Sequence, residues 1–420
     1  MSDARGDAAT LTCLRAPWVL PIVGPPLRDG WVTVARGRVV ALGSGRSPDG
    51  PGVVTRDLGH SVLLPGLVNA HTHLELSWLW GKVPPAPSLP NWVSDLMRQR
   101  FAAGGDDAAR MRLAIIDALE AGTAAVGDVA NTAASQDALA HSRLHGVVFR
   151  EVVGFNPADP EALLAAAAQD VEAHRTPRVA AHVVPHAPYS VAPDVLRLIG
   201  ARAAREPGAI CSIHVGESPD EIEFLQTGGG RWRDVLDARG AWNPRWTPPR
   251  CGPVEYLDRL GVVGPALVAV HCVQCTDAEL ARLAEARATI VTCPRSNVWV
   301  GVGRAPAARF FASGARVAIG TDSLASASDL NLFSELAALH HLAPEIAPAR
   351  LLESATRSGA EAIGRPDLGL IAPGARARLI TVDLPSGVKN PEAHLVEGVH
   401  PSQVAWAVWD ANGVRESYVS

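Results

Sequence analysis

Short apolar runs rich in β-branched residues recur through the middle of this chain, and each is followed by an Ala-, Leu- and Arg-rich stretch of helical period. The runs are almost continuously apolar, which is typical of parallel strands that are buried on both faces. Eight such βα units predict an α/β fold with a closed (β/α)8 barrel. The predicted strands are 63–71, 124–130, 147–154, 179–186, 209–215, 266–272, 289–293 and 317–321.

The two ends of the chain fall outside this pattern. They contain the strand-like segments "WVTVARGRVVALG", "ARARLITVDL" and "VAWAVWD", which are separated by Gly and Pro turns. We therefore predict a small β domain from residues 1–62 and 371–420, and a catalytic barrel from residues 63–370. Residues 228–253 are too long and too rich in Gly, Pro and Trp for an ordinary connection, so they are a candidate lid, with a surface excursion as the alternative.

Composition excludes several classes of function. Of 420 residues, 47% are hydrophobic, and 43 acidic residues outnumber 38 Lys and Arg, which gives no electrostatic footprint for nucleic acid. The start, "MSDARGDAATL", lacks a basic stretch followed by an apolar core, and we find no membrane segment. We expect a cytoplasmic enzyme with a small-molecule substrate, and the sequence leaves a homodimer open.

Histidines and acidic residues stand where the predicted strands end. Because side chains alternate along a strand, His71 and His73 in "NAHTH" point to the same side and can bind one metal ion. Taken singly, each residue has a structural alternative, as a hydrogen-bonded histidine or as an Asp that caps a helix. The carboxyl ends of barrel strands, however, are where barrel enzymes carry out their chemistry. Together these positions predict an active site: His71, His73, His186, His214, Glu217, His271 and Asp322.

Five motifs, in this order, resemble the amidohydrolase superfamily: "PGLVNAHTH", "HVGES", "VAVHC", "CPRSN" and "GTDS". Within it they are similar to the aminohydrolase branch of purine, pyrimidine and triazine deaminases. The segment "LGLIAPGARARLITVD" resembles the returning β segment of that family, with Arg378 in place of the usual Asp. The resemblance implies a metal-dependent hydrolase that acts on the C–N bonds of cyclic amidines.

The same resemblance implies roles for individual residues. It implies one divalent metal ion, Zn²⁺ or Fe²⁺, and imidazole with carboxylate ligands suits either. It also implies that Glu217 moves protons, that His271 contacts the attacking water or the substrate, and that Asp322 has a catalytic role beside its role as a ligand. The implied metal ligands are His71, His73, His214 and Asp322.

Further residues are predicted to contact the substrate. Glu75 shares a strand face with His73 by parity or, as the alternative, already leaves the strand, and Asn297 holds either its own loop or the substrate. His186, in "PHAPY", resembles a position that nucleoside deaminases of the family use near the sugar. Arg150 resembles an arginine that related deaminases place for a substrate carboxylate, with a structural pair to Glu151 or to a loop carbonyl as the alternative.

Tryptophans near the strand ends offer flat apolar walls for an aromatic ring, and among them we predict that Trp80 binds substrate. An adenine nucleoside with an aromatic acid on its 5′ side would fit the predictions for His186, Arg150 and the tryptophans. That description resembles aminodeoxyfutalosine, an intermediate of menaquinone biosynthesis. Adenosine, methylthioadenosine, S-adenosylhomocysteine and triazine-type amino- or chlorohydrolase substrates are the alternatives.

Three other interpretations fit the sequence less well. A two-metal cyclic-amide hydrolase needs a carboxylated lysine at the end of strand four, but this chain has only Lys82 and Lys389. The deaminases that carry H-x-E and P-C-x-x-C need a proline before Cys272, and none is present. A barrel that has become a binding protein would have lost a ligand or Glu217, and all of them are present.

Overall fold

Strands and helices alternate through the middle of the chain, as its apolar runs predict. The computed structural model describes residues 11–103 and 108–409. Its strands, in chain order, are β1 Leu11–Val19, β2 Leu27–Ala35, β3 Arg38–Ser44, β4 Val53–Asp57, β5 Ser61–Pro65, β6 Leu67–Thr72, β7 Thr123–Ala130, β8 His145–Val152, β9 Ala180–Pro185, β10 Cys211–Val215, β11 Leu267–His271, β12 Thr289–Thr292, β13 Arg316–Ile319, β14 Leu379–Asp383 and β15 Val404–Val408.

Helices follow the barrel strands and pack on their outer faces through a large buried apolar cluster that includes Ile213, Leu257 and Phe310. A 3-10 helix, Leu74–Leu79, comes directly after β6, and a second covers Pro401–Gln403. The α-helices are α1 Leu89–Ala103, α2 Ala108–Glu120, α3 Ala134–Ala140, α4 Pro160–Ala173, α5 Pro193–Arg205, α6 Pro219–Thr227, α7 Arg231–Ala238, α8 Pro253–Arg259, α9 Asp277–Glu285, α10 Pro294–Trp299, α11 Ala307–Ala312, α12 Leu332–Leu342, α13 Pro348–Ser354, α14 Arg357–Ala362 and α15 Pro391–Val396.

The barrel closes from two parallel sheets of four strands, β6 to β9 and β10 to β13. At one seam the His214 N–H donates to the His186 carbonyl over 3.0 Å, and at the other the Asp322 N–H donates to the His71 carbonyl over 3.1 Å. Buried side chains from β6 to β9 and from β11 to β13, Phe149 and Val270 among them, form one cluster inside. The predicted α/β fold with a (β/α)8 barrel is confirmed.

A second sheet combines both ends of the chain, in the order β15-β14-β5-β1-β2-β3, with β4 beside β1. The small β unit from both chain ends is therefore confirmed. The predicted strand 63–71 is in fact two strands, because the chain passes from this sheet to the barrel at Gly66. A Cβ at Gly66 would lie 2.7 Å from the Cβ of Ala124, so the chain can pass here only without a side chain. The sequence shows no break because β5 and β6 are both fully buried.

None of the described helices combines the length and the apolar character needed to cross a lipid bilayer. All six cysteines are free and buried.

Gly320 permits the close approach of β13 to β6. A Cβ at this position would lie 2.5 Å from the His71 carbonyl oxygen and 2.7 Å from the His71 Cβ. We therefore expect Gly320→Ala to lower the free energy of unfolding by about 1–3 kcal/mol, the usual cost of overpacking, and to weaken metal binding. Urea unfolding and metal analysis measure these effects. Gly264→Ala is the control, because its Cβ would meet nothing within 4 Å; equal stability of the two variants would contradict the expectation.

Candidate active site

Four potential ligands converge at the carboxyl ends of the barrel strands. His71 lies on β6, His73 directly follows this strand, His214 lies on β10 and Asp322 follows β13. The Nε2 atom of His73 lies 3.3 Å from Asp322 Oδ1 and 3.4 Å from His214 Nε2, and His71 Nε2 lies 3.8 Å from Asp322 Oδ1. Ligands about 2.0–2.2 Å from a tetrahedral ion lie roughly 3.3–3.6 Å apart. The distances from His73 to Asp322 and to His214 fall in this range, which is the spacing of a metal site.

The protonation states of these residues suit a cation. Both ring nitrogens of His71 are buried without a hydrogen-bond partner, and burial together with the neighbouring histidines holds its pKa well below the usual value. Burial also lowers the pKa of His73 and of His214. Burial opposes the ionisation of Asp322, yet His73 and His271 keep its pKa below the usual value. Neutral imidazoles beside an ionised carboxylate fit a divalent metal ion.

Hydrogen bonds orient two of these ligands from behind. His214 Nδ1 donates to the His186 carbonyl over 2.9 Å, which leaves Nε2 to face the other ligands. Ser296 Oγ donates to Asp322 Oδ2 over 2.5 Å, and Ser326 Oγ donates to the same oxygen over 3.2 Å. These hydrogen bonds therefore fix the direction in which His214 and Asp322 present their ligand atoms.

Glu217 and His271 lie beside this cluster. Glu217 Oε1 is 3.5 Å from His271 Nε2, and the Nδ1 of His271 donates to Asn297 Oδ1 over 2.9 Å. Burial raises the pKa of Glu217 to about 8; His214 opposes this shift and Asp322 adds to it. Burial thus favours the acid form of Glu217, which can give a proton to a substrate.

Local backbone strain helps to aim these groups. His271 and Asp322 have φ values of 72° and 58°, in the left-handed region that non-glycine residues rarely adopt. Glu221, which the sequence suggests at the start of a helix, lies in the first turn of α6. Its carboxylate also accepts the N–H groups of Gly216 and Glu217, each over 3.0 Å, so it fixes the turn that carries the acid.

A cavity of about 600 Å³ opens over these residues. Its floor includes His73, Glu217 and Asp322, and α1 and α7 supply apolar walls through Trp92 and Trp232. A cavity of about 710 Å³ lies at the opposite ends of β8 and β9. Because the acid and the potential ligands converge in the first cavity, at the face where barrel enzymes place their sites, we assign the candidate active site there.

Two of the predicted substrate-binding residues line the cavity. His186 is held by a 2.6 Å hydrogen bond between its Nδ1 and Ser190 Oγ, and burial, followed by His73 and His271, lowers its pKa to about 3. Arg150 lines the same cavity, but its Nε donates to Asp170 Oδ2 and its Nη1 to the Glu151 carbonyl, both over 2.6 Å. A structural pairing of Arg150 is therefore present, and its contact with substrate stays a prediction.

Three other predicted substrate contacts lie outside the cavity lining. The carboxylate of Glu75 accepts the N–H groups of Asn131 and Thr132, over 2.8 and 2.9 Å. Trp80 is half exposed and donates to the Ser328 carbonyl, and Asn297 lies behind His271. The parity argument for Glu75 does not hold, because a 3-10 helix begins at Leu74 and ends the alternation of the strand.

The sequence interpretation missed several cavity residues, among them Trp92, Glu151 and Tyr189. The apolar face of α1, with Leu89, Trp92 and Leu96 at helical spacing, was an available signal for one wall. Within the candidate lid, Trp232 stacks on Tyr189 with ring centroids 4.0 Å apart, so residues 228–253 supply part of the wall.

The chain is similar to known proteins over most of its length. Residues 62–409 match the model of the amidohydrolase family. The chain is 31% identical to a 5-methylthioadenosine/S-adenosylhomocysteine deaminase of Nitratidesulfovibrio vulgaris, over 88% of this chain and 83% of that protein. It is 34% identical to an aminodeoxyfutalosine deaminase of Deinococcus radiodurans, over 72% and 74% of the two chains. The crystal structure of a zinc-bound adenosine deaminase from Xanthomonas campestris matches with a TM-score of 0.79 at 26% identity, covering 97% of this chain and 94% of that one.

Proposed function

We propose that this chain, which belongs to the amidohydrolase family, removes the amino group of an adenine-containing nucleoside by hydrolysis. It is a metal-dependent hydrolase of the deaminase branch, acting on C–N bonds. The observation that carries the proposal is the place of Glu217 on the floor of the cavity with Asp322, 3.5 Å from His271 Nε2, where burial raises its pKa. The deaminases among its relatives, at 31% and 34% identity, support an adenine nucleoside as the substrate.

The site residues divide the reaction between them. A divalent ion held by His71, His73, His214 and Asp322 would lower the pKa of a water molecule to about 7. Glu217 donates its proton to ring nitrogen N1 of adenine, which makes C6 electrophilic. Because the Nδ1–H of His271 is held by Asn297, its Nε2 is free to accept a proton from the attacking water. The Glu217 carboxylate then takes the proton of the hydroxyl formed at C6 and passes it to the amino group, which leaves as ammonia while C6 becomes a carbonyl, and the proton held by His271 returns to Glu217 for the next turnover.

We further propose aminodeoxyfutalosine as the preferred nucleoside, which would place the enzyme in menaquinone biosynthesis. Its aromatic carboxylate needs a cation in the cavity, whose lining includes Arg239 at its rim and, next to Asn131 and Glu151, Arg100 and Arg150. Asp170 already neutralises Arg150, whereas Arg100 has no ion pair with a carboxylate among the described residues, and its Nη1 donates to Asn131 Oδ1 over 2.8 Å. Arg100 is therefore the better candidate for the anchor.

A comparison of substrates tests both levels of this proposal. We expect kcat/KM for aminodeoxyfutalosine to exceed that for adenosine by roughly tenfold or more, as a charged hydrogen bond provides, with methylthioadenosine and S-adenosylhomocysteine between them. Arg100→Met should lose most of this preference and Arg150→Met less of it. Equal turnover of all four nucleosides would contradict the carboxylate anchor. Faster turnover of cytosine or an aminotriazine would contradict the nucleoside itself.

A further inference from the structure

One buried carboxylate oxygen in the cavity wall lacks a partner. Glu151, on β8, is 7% exposed, and its Oε1 accepts a 2.5 Å hydrogen bond from Asn131 Nδ2. Its Oε2 is buried, and no donor of the described residues reaches it. An unsatisfied buried acceptor is unfavourable, and it is more so when charged. Glu151 lines the cavity that holds the reactive groups, so a ligand is the natural source of the missing donor.

The neighbours of Glu151 cannot supply that donor. Ligand atoms of Glu151, His186 and His214 lie within 4.8 Å of one another. Ser190 Oγ donates to the Ala187 carbonyl, so it accepts from His186 Nδ1, and the Nε2 of that neutral ring is an acceptor. The single ring proton of His214 is on Nδ1, directed to the His186 carbonyl. The wall therefore presents adjacent acceptors to the ligand.

Glu151 is also held in a fixed position. Asn131 donates from its backbone N–H to Glu75 and accepts from Arg100, so that its Nδ2 is directed at Glu151 Oε1. Glu75 lies outside the cavity, but through Asn131 it helps to position Glu151. Asn131 holds one oxygen of the Glu151 carboxylate, and the other has no partner among the described residues, which is the arrangement of a binding group.

We propose that Glu151 binds hydroxyl groups of the nucleoside's ribose and so selects ribosyl over deoxygenated substrates. This inference rests on the proposed function. The adenine ring of a nucleoside has one donor, its amino group, which must lie with Glu217 and the metal ligands for the reaction. The hydroxyls of the ribose are then the donors that remain for an acceptor in the wall.

The test compares Glu151→Gln with the wild-type enzyme, both loaded with metal, on adenosine and 2′,3′-dideoxyadenosine. For adenosine we expect a loss of roughly 10- to 100-fold in kcat/KM, mainly through KM, because the amide replaces a charged acceptor by a neutral group. For dideoxyadenosine we expect equal values for the two enzymes. Glu285→Gln, which changes an exposed carboxylate on α9, should match wild type on both substrates.

Two outcomes of the kinetic comparison would overturn the inference. Equal losses on both substrates would mean that Glu151 acts on the protein structure, and loss of metal from Glu151→Gln would mean that it supports the ligand cluster. Thermal stabilisation by inosine and by 2′,3′-dideoxyinosine provides a readout without turnover. If wild type binds inosine more tightly than dideoxyinosine without turning over adenosine, the proposed deaminase reaction fails and the hydroxyl site stands. If it binds neither, both proposals fail.

Discussion

Glu217→Gln should lower kcat by roughly 10²- to 10⁴-fold while the metal ion stays bound. The substitution keeps the size of the side chain and its place beside His271, but the amide cannot deliver a proton to the substrate. Glu217 is not one of the four proposed ligands, so its loss should leave the ion in place. Steady-state ammonia release and metal analysis of the same preparation measure the two quantities.

The pH profile offers an independent check of the same residue. Burial raises the pKa of Glu217 to about 8, so its reactive acid form is present below this value and disappears as the pH rises through it. The charge of a bound divalent ion would move that pKa downward. Wild-type kcat/KM should therefore fall on the alkaline side, at or below about pH 8, and the Gln variant should lack this limb. A near-normal kcat in Glu217→Gln would remove the residue from the mechanism, and Glu285→Gln is the matched surface control.

His71→Ala should abolish both metal binding and turnover. His71 is completely buried with both ring nitrogens unpartnered, and it lies against His73 and His214 with ring centroids 4.9 and 5.0 Å apart. Without this imidazole the cluster has three ligands, and affinity for a divalent ion depends on ligand number. Elemental analysis after dialysis, together with ammonia release on addition of Zn²⁺ or Fe²⁺, tests the expectation.

His341→Ala, at an exposed position on α12, should retain one ion per chain and full activity. Circular dichroism of His71→Ala distinguishes loss of the site from loss of the fold. Two stoichiometric ions in the purified wild-type protein would contradict the single-metal site.

The sequence predicts the barrel and the ligand cluster because both depend on local patterns. Buried parallel strands give continuous apolar runs, and the residue that ends each run lies at the catalytic face, so His71, His214 and Asp322 are brought together by topology alone. The break at Gly66 leaves no such pattern, because strands on either side of it are equally apolar and belong to different sheets.

Substrate contacts depend on geometry beyond the strand ends, and here the sequence predicts less. Parity placed Glu75 beside His73, but a 3-10 helix turns its carboxylate toward the N–H groups of Asn131 and Thr132. The charge of Arg150 is visible in the sequence. Whether an oxygen of its neighbour Glu151 has a hydrogen-bond partner depends on the surrounding donors, which only the structure shows. The helical wall formed by α1 and α7 likewise depends on how distant segments pack.

Metal ligands lie at both seams of the barrel, so only a completely folded barrel can bind the metal ion with all of its ligands. Main-chain groups of His71 and Asp322 join one seam, and those of His186 and His214 join the other, so the same residues that close the cylinder also carry the metal ligands. A chain with either half-barrel detached cannot present all four ligands at once. An ion that binds only the closed form therefore stabilises the contact between β6 and β13. The free energy of this stabilisation rises with the logarithm of the free metal concentration. Metal availability in the cell would then govern how much of this enzyme persists as an intact barrel, as well as how much of it is active.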